Sequence, residues 1–332
     1  MSTAPPGLIV EPDDGPEPVL DFIATARERL LVKQFTFTDD VLIDAVLARR
    51  AAGVEVRVML NAARSGGDRA NDETFERLRA GGIDVQWTNP QFYVTHEKSI
   101  VVDGTAALIA TFNLCTKYFT RTRDYGLITY DTVHVGQIAE AFEADWNHAD
   151  WSPARFEGLL WSNANSRLHM AHFIDSATER LDIQHPKYVD AVILDHLAAA
   201  ADRGVKVHVL CGGRHGISEW DVLDTFASLR TLGRFGVKVH KQKNLRVHAK
   251  LLIVDAKRAL LGSMNIDRSA FDLRRELGIA TNDPAVVARL KQVFDEDWAS
   301  SHHYHPPDPL AAAEQHEDDS EHFPGDAAIV HE

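Results

Sequence analysis

One pattern of polar residues occurs twice in this 332-residue chain, and this repeat limits the fold more than any other feature. In each copy a lysine follows a histidine by two positions, an aspartate follows the histidine by seven, and an asparagine follows it by seventeen. The two copies, 152 positions apart, are His96, Lys98, Asp103 and Asn113, and His248, Lys250, Asp255 and Asn265. Equal spacing in both copies predicts two like folding units that bring the two sets together.

The repeat continues into the flanking segments. FIATARERL from Phe22 corresponds to FIDSATERL from Phe173, and both have apolar residues at helical spacing before a strand-like run. GVEVRVML from Gly53 corresponds to GVKVHVLC from Gly204, and each reads as a buried strand that a glycine opens at a helix end. The similarity therefore spans whole helices and strands.

Each half alternates helices with strands and then adds hairpin-like strands around the motif, which is typical of an α/β fold. We expect two duplicated halves, residues 21–150 and 151–305, with mixed sheets flanked by helices and a site at their pseudo-twofold interface. Helices with apolar positions three and four apart end at Trp146 and Trp298, which we interpret as core anchors. We expect a monomer with pseudo-dimeric halves.

The net charge of -14 comes mainly from the two ends of the chain. Residues 1–20 contain four acidic residues and residues 306–332 contain eight, and neither segment contains lysine or arginine. Without these twelve acids, 37 acids remain against 35 bases, a balance of -2. Both segments are rich in Pro, Asp, Glu and Ala, so we predict that they are disordered acidic tails.

The composition also excludes several classes of protein. No apolar run approaches the length of a membrane span, and the first residues do not have the pattern of a signal peptide, so we expect a cytoplasmic protein without a transmembrane segment. Cys115 and Cys211 each lie beside an apolar run and are expected to be reduced core thiols. The histidine-rich stretches lack a completing set of carboxylates or cysteines, so we predict no metal and no cofactor.

The motif has the pattern of a strand and a turn. His96 and Lys98 are two positions apart and therefore project from the same face of a strand. Asp103 precedes Gly104, a dipeptide typical of a hairpin turn, so we assign this aspartate a supporting role. The second copy repeats this arrangement, and Asp255 takes the same supporting role. The returning strand brings Asn113 back beside the histidine and lysine.

A further acidic residue follows each asparagine by eleven positions, namely Asp124 and Glu276. A carboxylate that accepts the Nδ1 proton of a histidine fixes its tautomer and raises its basicity, and we predict this orienting role for both acids. Arg123 and Arg275 precede them, and the sequence favours substrate contact and a structural salt bridge equally. Two histidines, two lysines and two asparagines can converge on one phosphate, which predicts a phosphodiester-cleaving enzyme.

The duplicated pattern resembles the phospholipase D superfamily, whose signature is His-x-Lys followed by four residues and Asp, present twice. The resemblance covers roughly residues 20–300. The second copy also has the family's Gly262-Ser263-x-Asn265, whereas the first has Ala110-Thr111-x-Asn113. Thr111 keeps the hydroxyl of Ser263, so both positions are expected to support the site.

This resemblance implies a metal-independent, two-step reaction through a covalent phosphohistidine. One histidine, for which family precedent favours His96, attacks phosphorus, and His248 protonates the leaving alcohol. The two lysines and two asparagines then hold the nonbridging oxygens. A phospholipid is the favoured substrate, hydrolysed or transferred to an alcohol, and peripheral contact with a membrane is compatible with it.

Two alternatives remain from the sequence. A metal-independent endonuclease of the same superfamily would use an equivalent site, although a nearly neutral core gives weak support for binding a polyanion. A non-catalytic phosphate-binding protein would need a disabled site, whereas both motifs are intact.

Overall fold

A computed structural model describes residues 7–63, 67–214, 217 and 219–310. The helices in this part are α1 (Glu17–Ala24), α2 (Asp40–Ala51), α3 (Asp72–Ala80), α4 (Thr132–Trp146), α5 (Ser166–Asp175), α6 (Ala191–Asp202), α7 (Glu219–Arg234), α8 (Arg268–Asp272) and α9 (Pro284–Ser300). The strands of the first half are β1 (Leu8–Glu11), β2 (Arg29–Gln34), β3 (Glu55–Leu60), β4 (Asp84–Trp87), β5 (Ser99–Val102), β6 (Ala106–Ala110) and β7 (Thr122–Thr129). Those of the second half are β8 (Leu159–Trp161), β9 (Arg180–Gln184), β10 (Lys206–Cys211), β11 (Lys238–Lys241), β12 (Arg246–Val247), β13 (Leu251–Val254), β14 (Arg258–Gly262), β15 (Leu277–Thr281) and β16 (His302–His303).

The strands form two mixed sheets with the same internal order. The first sheet runs β1-β7-β6-β5-β2-β3-β4. The second, read from the corresponding edge, runs β8-β15-β14-β13-β9-β10-β11-β16. In each, three strands joined by helices are parallel, and the strands around the motif are antiparallel. This confirms the predicted fold class of two duplicated α/β halves.

The halves are joined by more than the chain that connects them. Strand β12 belongs to the second half by sequence but pairs in parallel with β7 of the first sheet. Thr95 and Arg275 form an isolated bridge at the corresponding place of the other half. Each half therefore pairs with the other half next to that half's acidic residue, Asp124 on β7 or Glu276 just before β15.

Alternate residues of each strand enter different cores, as the period of two in a strand requires. Leu30 and Val32 of β2 face the core that contains α1 and α2, whereas Leu31 enters a central core shared by both halves. The apolar faces of α4 and α9 fill that central core, and Trp146 and Trp298 pack against it. This confirms the interpretation of the two tryptophans as core anchors.

The prediction of a disordered N-terminal tail over residues 1–20 is wrong from Leu8 onward. Residues Leu8–Glu11 form β1 at the edge of the first sheet, antiparallel to β7, and α1 begins at Glu17. The acidic residues between them have partners, since Asp13 lies 3.0 Å from a guanidinium nitrogen of Arg123. The acidic composition suggested a solvated segment because these long-range partners are not visible in it.

At the other end of the chain, the structure describes the predicted tail only as far as Leu310, and residues 311–332 lie outside the described part, as do residues 1–6. Both cysteines are buried and unbridged. Within the described ranges, no helix combines the length and apolar character needed to span a bilayer.

Candidate active site

The two motif segments are extended but lie just before the strands predicted to contain them. Residues 96–98 precede β5, and residues 248–250 precede β13. The backbone N–H groups of His96 and Glu97 both donate to the carbonyl of Arg275, at 2.9 Å each. His96 and Lys98 therefore lie just outside the strand predicted to contain them, and the backbone donors of His96 and Glu97 are used across the interface between halves.

The second copy makes the corresponding contacts, with donors in the second half and the acceptor in the first. The N–H groups of His248 and Ala249 donate to the carbonyl of Arg123, at 3.3 and 2.9 Å. Each motif histidine is thus held by the backbone of the other half, one residue before that half's acidic residue.

The imidazole of His96 contacts Glu276, which belongs to the other half of the chain. Its Nδ1 lies 3.0 and 3.1 Å from the two carboxylate oxygens and 3.1 Å from the carbonyl oxygen of Ser263. Both side chains are almost fully buried. The carbonyl oxygen of Ser263 can only accept and the ionised carboxylate of Glu276 likewise accepts, which favours the Nδ1–H tautomer with the lone pair on Nε2.

Burial raises the pKa of Glu276 to about 8, although the nearby cations of Arg274 and Lys98 oppose the shift. The Ser263 hydroxyl also acts to lower the pKa of this carboxyl. The His96–Glu276 pair therefore takes up a proton more readily than an exposed carboxylate beside an imidazole would.

The imidazole of His248 contacts Asp124, again across the interface. Its Nδ1 lies 2.7 Å from Oδ1 of Asp124. The same carboxylate accepts hydrogen bonds from the hydroxyls of Thr111 and Thr122, each at 2.6 Å. Three donors thus stabilise the charge of this fully buried group. The structure places each of the two predicted acids beside the histidine of the other half, a pairing that the sequence did not specify.

The two lysines lie against their own histidines. Lys98 Nζ donates to the carbonyl oxygen of His96 at 2.7 Å, and Lys250 Nζ donates to that of His248 at 2.8 Å. Lys250 Nζ also lies 2.9 Å from Nε2 of His248. Both ammonium groups are buried, so a cation is held beside each imidazole in a region from which water is largely excluded.

The motif aspartates occupy turns. Asp103 and Asp255 have positive φ values of 52° and 53°. Asp103 accepts hydrogen bonds from the backbone N–H groups of residues 27–29, and Asp255 accepts those of residues 178–180. These bonds join the two turns to the starts of β2 and β9. They lower the pKa of both carboxyls, although partial burial opposes the shift.

The asparagines and the neighbouring hydroxyl residues are buried. Asn113 is fully buried, and Asn265 has a buried side-chain oxygen that accepts no hydrogen bond within the described residues. Thr111 accepts the N–H of Tyr125 at 2.8 Å, and Ser263 accepts that of Leu277 at 3.0 Å. Each hydroxyl therefore fastens the loop before an asparagine to the strand of an orienting acid.

The two arginines whose role the sequence left open both form buried ion pairs across the interface. Arg123 donates to Asp297 at 2.8 Å through Nε, and Arg275 donates to Asp145 at 2.9 Å through Nε. The structure therefore favours the salt bridge over substrate contact at both positions.

Sequence reasoning missed several neighbours of the catalytic candidates. Phe35 packs edge-on against His96, and Tyr118 packs tilted against His248, with ring centroids 4.7 Å apart in both pairs. His185 is fully buried, and burial together with the charge of Lys250 lowers its pKa to about 3. No sequence pattern indicated these residues, because each is distant in sequence from its contact in the site and approaches it only in the folded chain.

Comparisons with known proteins agree with this architecture. A family model described as cardiolipin synthase, PLD-like domain, matches the chain twice, at residues 19–146 and 170–298. Cardiolipin synthase A of Pseudomonas aeruginosa is 28% identical over a region that covers 91% of this chain and 68% of that protein.

Two solved structures share the fold. Phosphatidylserine synthase of Haemophilus influenzae superposes with a TM-score of 0.72 at 12% identity, over 90% of this chain and 88% of that one. A polyphosphate kinase from Porphyromonas gingivalis superposes with a TM-score of 0.71 at 16% identity, over 90% of this chain and 48% of that one, so the chain spans about half of the kinase. At these identities the likenesses concern the fold alone.

Proposed function

Because the chain belongs to the phospholipase D-like family of cardiolipin synthase domains, we propose that it is a phosphatidyltransferase that acts on phospholipid through a covalent phosphohistidine. The observation that carries this proposal is the pair of crossed contacts, His96 with Glu276 and His248 with Asp124. Each contact holds the Nδ1 proton and directs the lone pair of the imidazole to Nε2, which in His248 lies 2.9 Å from the ammonium of Lys250. The contacts therefore support two oriented imidazoles at the site.

The proposed reaction has two balanced steps. In the first, Nε2 of His96 attacks phosphorus, the bond to the leaving oxygen breaks, and His248 gives that oxygen a proton. In the second, His248 takes a proton from the acceptor hydroxyl, whose oxygen attacks phosphorus and breaks the P–N bond. His96 returns to its starting state, and His248 carries the proton that the next cycle needs.

The charge that develops on the phosphoryl oxygens calls for fixed donors. Lys98 and Lys250 supply two buried ammonium groups beside the histidines. Asn113 and Asn265 supply amide N–H donors from the loops after β6 and β14. Donors held in place before the reaction stabilise a transition state more than mobile water does, which supports these roles.

We propose a phospholipid rather than a nucleic acid as the substrate. The sequence relative named above is a cardiolipin synthase, and outside the two acidic ends the charge is nearly balanced at 37 acids against 35 bases. A polyanion normally requires an excess of basic side chains. Transfer to an alcohol and hydrolysis then differ only in the acceptor. Peripheral membrane contact, a monomeric state and a cytoplasmic location stay predictions.

The test is a parallel incubation with vesicles of phosphatidylcholine, vesicles of phosphatidylglycerol, and single-stranded DNA, each with a metal chelator. We expect phosphatidyl transfer or release of the headgroup, detected by mass spectrometry. We also expect H96N and H248N to lower turnover by at least about 10³-fold. If DNA alone were cleaved, the endonuclease alternative would replace this proposal, and unchanged activity in either variant would exclude the two-histidine mechanism.

The same variants identify the nucleophile. H248N keeps the attacking group but lacks the acid, so brief incubation with an activated phosphodiester is expected to leave a phosphoryl adduct on His96. H96N is expected to form none. Peptide mass spectrometry of the acid-labile adduct distinguishes the two, and an adduct on His248 would reverse the assigned roles.

A further inference from the structure

The two crossed histidine–acid contacts have different neighbours, and the main difference is that Glu11 lies beside Asp124. This residue ends β1 and is the direct antiparallel partner of Asp124 on β7. Residues directly opposite in an antiparallel pair have their Cβ atoms about 4.5–5.5 Å apart on the same face of the sheet. The two carboxyl groups therefore lie side by side, and both are fully buried.

The two neighbouring carboxyls are stabilised very differently. Asp124 accepts bonds from two hydroxyls and faces the Nδ1–H of His248. Neither carboxyl oxygen of Glu11 accepts a hydrogen bond within the described residues. The backbone N–H of Gly15 favours the ionised form of Glu11, but burial and the charge of Asp124 outweigh it and raise the pKa of Glu11 to about 9. Of the pair, Glu11 therefore holds the proton as long as His248 is neutral.

The charged groups around Glu11 are mainly acidic. Arg123 donates to the backbone carbonyl of Glu11 at 2.8 Å, and its charge is shared with Asp297. The remaining charged and titratable groups that face Glu11 directly or through these contacts are Asp13, Asp14, Asp124, Arg289, Tyr125 and His248.

The other half has no such acid. Antiparallel pairing of β8 with β15 continues from Trp161 and Leu277 to place Ser162 opposite Glu276. The Ser162 hydroxyl accepts the N–H of Glu276 at 2.7 Å and donates to the carbonyl of Arg274. The guanidinium of Arg274 lies 3.9 Å from Glu276, so a cation neighbours this acid.

We propose that Glu11 is a positioning residue that acts on His248 through Asp124 and assigns His248 to the proton-donating side of the reaction. The role of Glu11 in the reaction rests on the proposed function, whereas its electrostatic effect on His248 does not. When His248 carries a proton, its positive charge favours ionisation of Glu11, and the resulting second negative charge holds that proton in place. At His96 the cation of Arg274 acts in the opposite sense and favours the neutral imidazole that a nucleophile requires.

The first test measures titration without any substrate. Histidine with labelled rings is introduced into the full chain, and the signals of His96 and His248 are identified from H96N and H248N. We expect the imidazole of His248 to lose its proton at a pH about one unit lower in E11Q than in the wild type, while His96 is unchanged. E11M, which also removes the charge but is apolar, gives the same comparison if E11Q does not fold.

The matched control is S162A, which alters the corresponding position of the other half and is expected to leave His248 unchanged. An identical titration of His248 in E11Q and the wild type would overturn the proposal, as would equal shifts of both histidines.

The second test uses leaving groups of different quality. A p-nitrophenyl leaving group departs without a proton, whereas the choline of phosphatidylcholine needs one. We expect E11Q to move the alkaline limb of the pH–rate profile down by about one pH unit for phosphatidylcholine only. Equal effects on both substrates would indicate a merely structural role and overturn the proposal. A wild type that cleaves neither substrate would contradict the proposed function, and the titration would still decide the role of Glu11.

Discussion

The support of the site in the first half contains one more buried ion pair than that in the second half, where buried amides take its place. Beneath His96, the ammonium of Lys33 lies 3.1 Å from Glu97 and 2.7 Å from Asp145, and Asp145 also binds Arg275. All members of this network are buried. Two carboxylates and two cations thus neutralise one another inside the protein.

At the corresponding place of the second half, Gln184 replaces the lysine. Its amide nitrogen donates to Asp297 at 2.8 Å and to Gln242 at 2.9 Å, and its oxygen accepts from the Tyr125 hydroxyl at 2.6 Å. Ala249 stands where the first half has Glu97, so the second network lacks one positive and one negative charge.

The comparison shows that the site and its support obey different requirements. Both halves present the same contacts between histidine and acid, although one support has the additional charges of Lys33 and Glu97 and the other has amide groups in place of the lysine. The requirement below the site is that every buried polar group has a partner, which either network meets. The requirement at the site is the residue type itself, because the chemistry needs imidazole, ammonium and carboxylate groups.

The largest expected effect concerns the crossed contacts themselves. D124N and E276Q each replace the carboxylate that holds an Nδ1 proton, and we expect each to lower turnover by about 10³-fold. The tautomer reported by the ¹⁵N shifts of labelled histidine is expected to change at His248 in D124N and at His96 in E276Q. The reverse assignment, or changes at both histidines in one variant, would refute the crossed arrangement.

The pH dependence should separate the same two contacts. Since burial raises the pKa of Glu276 to about 8, the His96–Glu276 pair gains a proton as the pH falls below that value, and attack by His96 becomes slower. We therefore expect the rate of adduct formation to rise with pH up to about 8 in the wild type. In E276Q we expect no rise in the rate of adduct formation near pH 8. Pre-steady-state measurements over a series of pH values test this.

The next effect concerns the supports. K33M leaves Glu97 and Asp145 without their shared cation, and we expect it to lower the free energy of unfolding by about 3–5 kcal/mol. Q184M is the matched change in the second half. It removes one donor from Asp297, which keeps Arg123, and it leaves the neutral side chains of Gln242 and Tyr125 without this partner, so a loss of about 1–3 kcal/mol is expected. Urea unfolding of the two variants measures both values. Equal losses would show that the ionic network has no special sensitivity.

The last pair of substitutions concerns the strand end before each asparagine, at Gly262 and Ala110, and includes the smallest expected effect. A Cβ added at Gly262 would lie 2.4 Å from the carbonyl oxygen of Leu277, so the backbone would have to move. Ala110 occupies the corresponding position in the first half, buried, with its N–H bonded to the carbonyl of Lys98 at 3.0 Å. The alanine that departs from the family's pattern is therefore accommodated.

We expect G262A to lower the free energy of unfolding by about 1–3 kcal/mol, and A110G by about 1 kcal/mol or less. Urea unfolding again provides the measurement. A neutral G262A would mean that the strand pair β14–β15 adjusts as readily as its counterpart β6–β7.

Much of the fold could be predicted from the sequence because the repeat includes whole helices and strands. The glycines before β3 and β10, Gly53 and Gly204, have φ values of +90° and +89° and open the predicted strands. Local periodicity and turn residues decide such features. The role of β1 could not be predicted, because its four residues become a strand only by pairing with β7, more than a hundred positions away.

The residue types of the candidate site, their number and their duplication were determined by the sequence alone. Histidine, lysine, asparagine and acid recur at fixed spacing, and that spacing brings each set to the same end of its sheet. The tertiary structure decided that Glu276 meets His96 and Asp124 meets His248, and that Glu11 lies beside only one of these pairs. These contacts depend on how two folded halves hydrogen-bond and pack against each other, which residue spacing within either half does not encode.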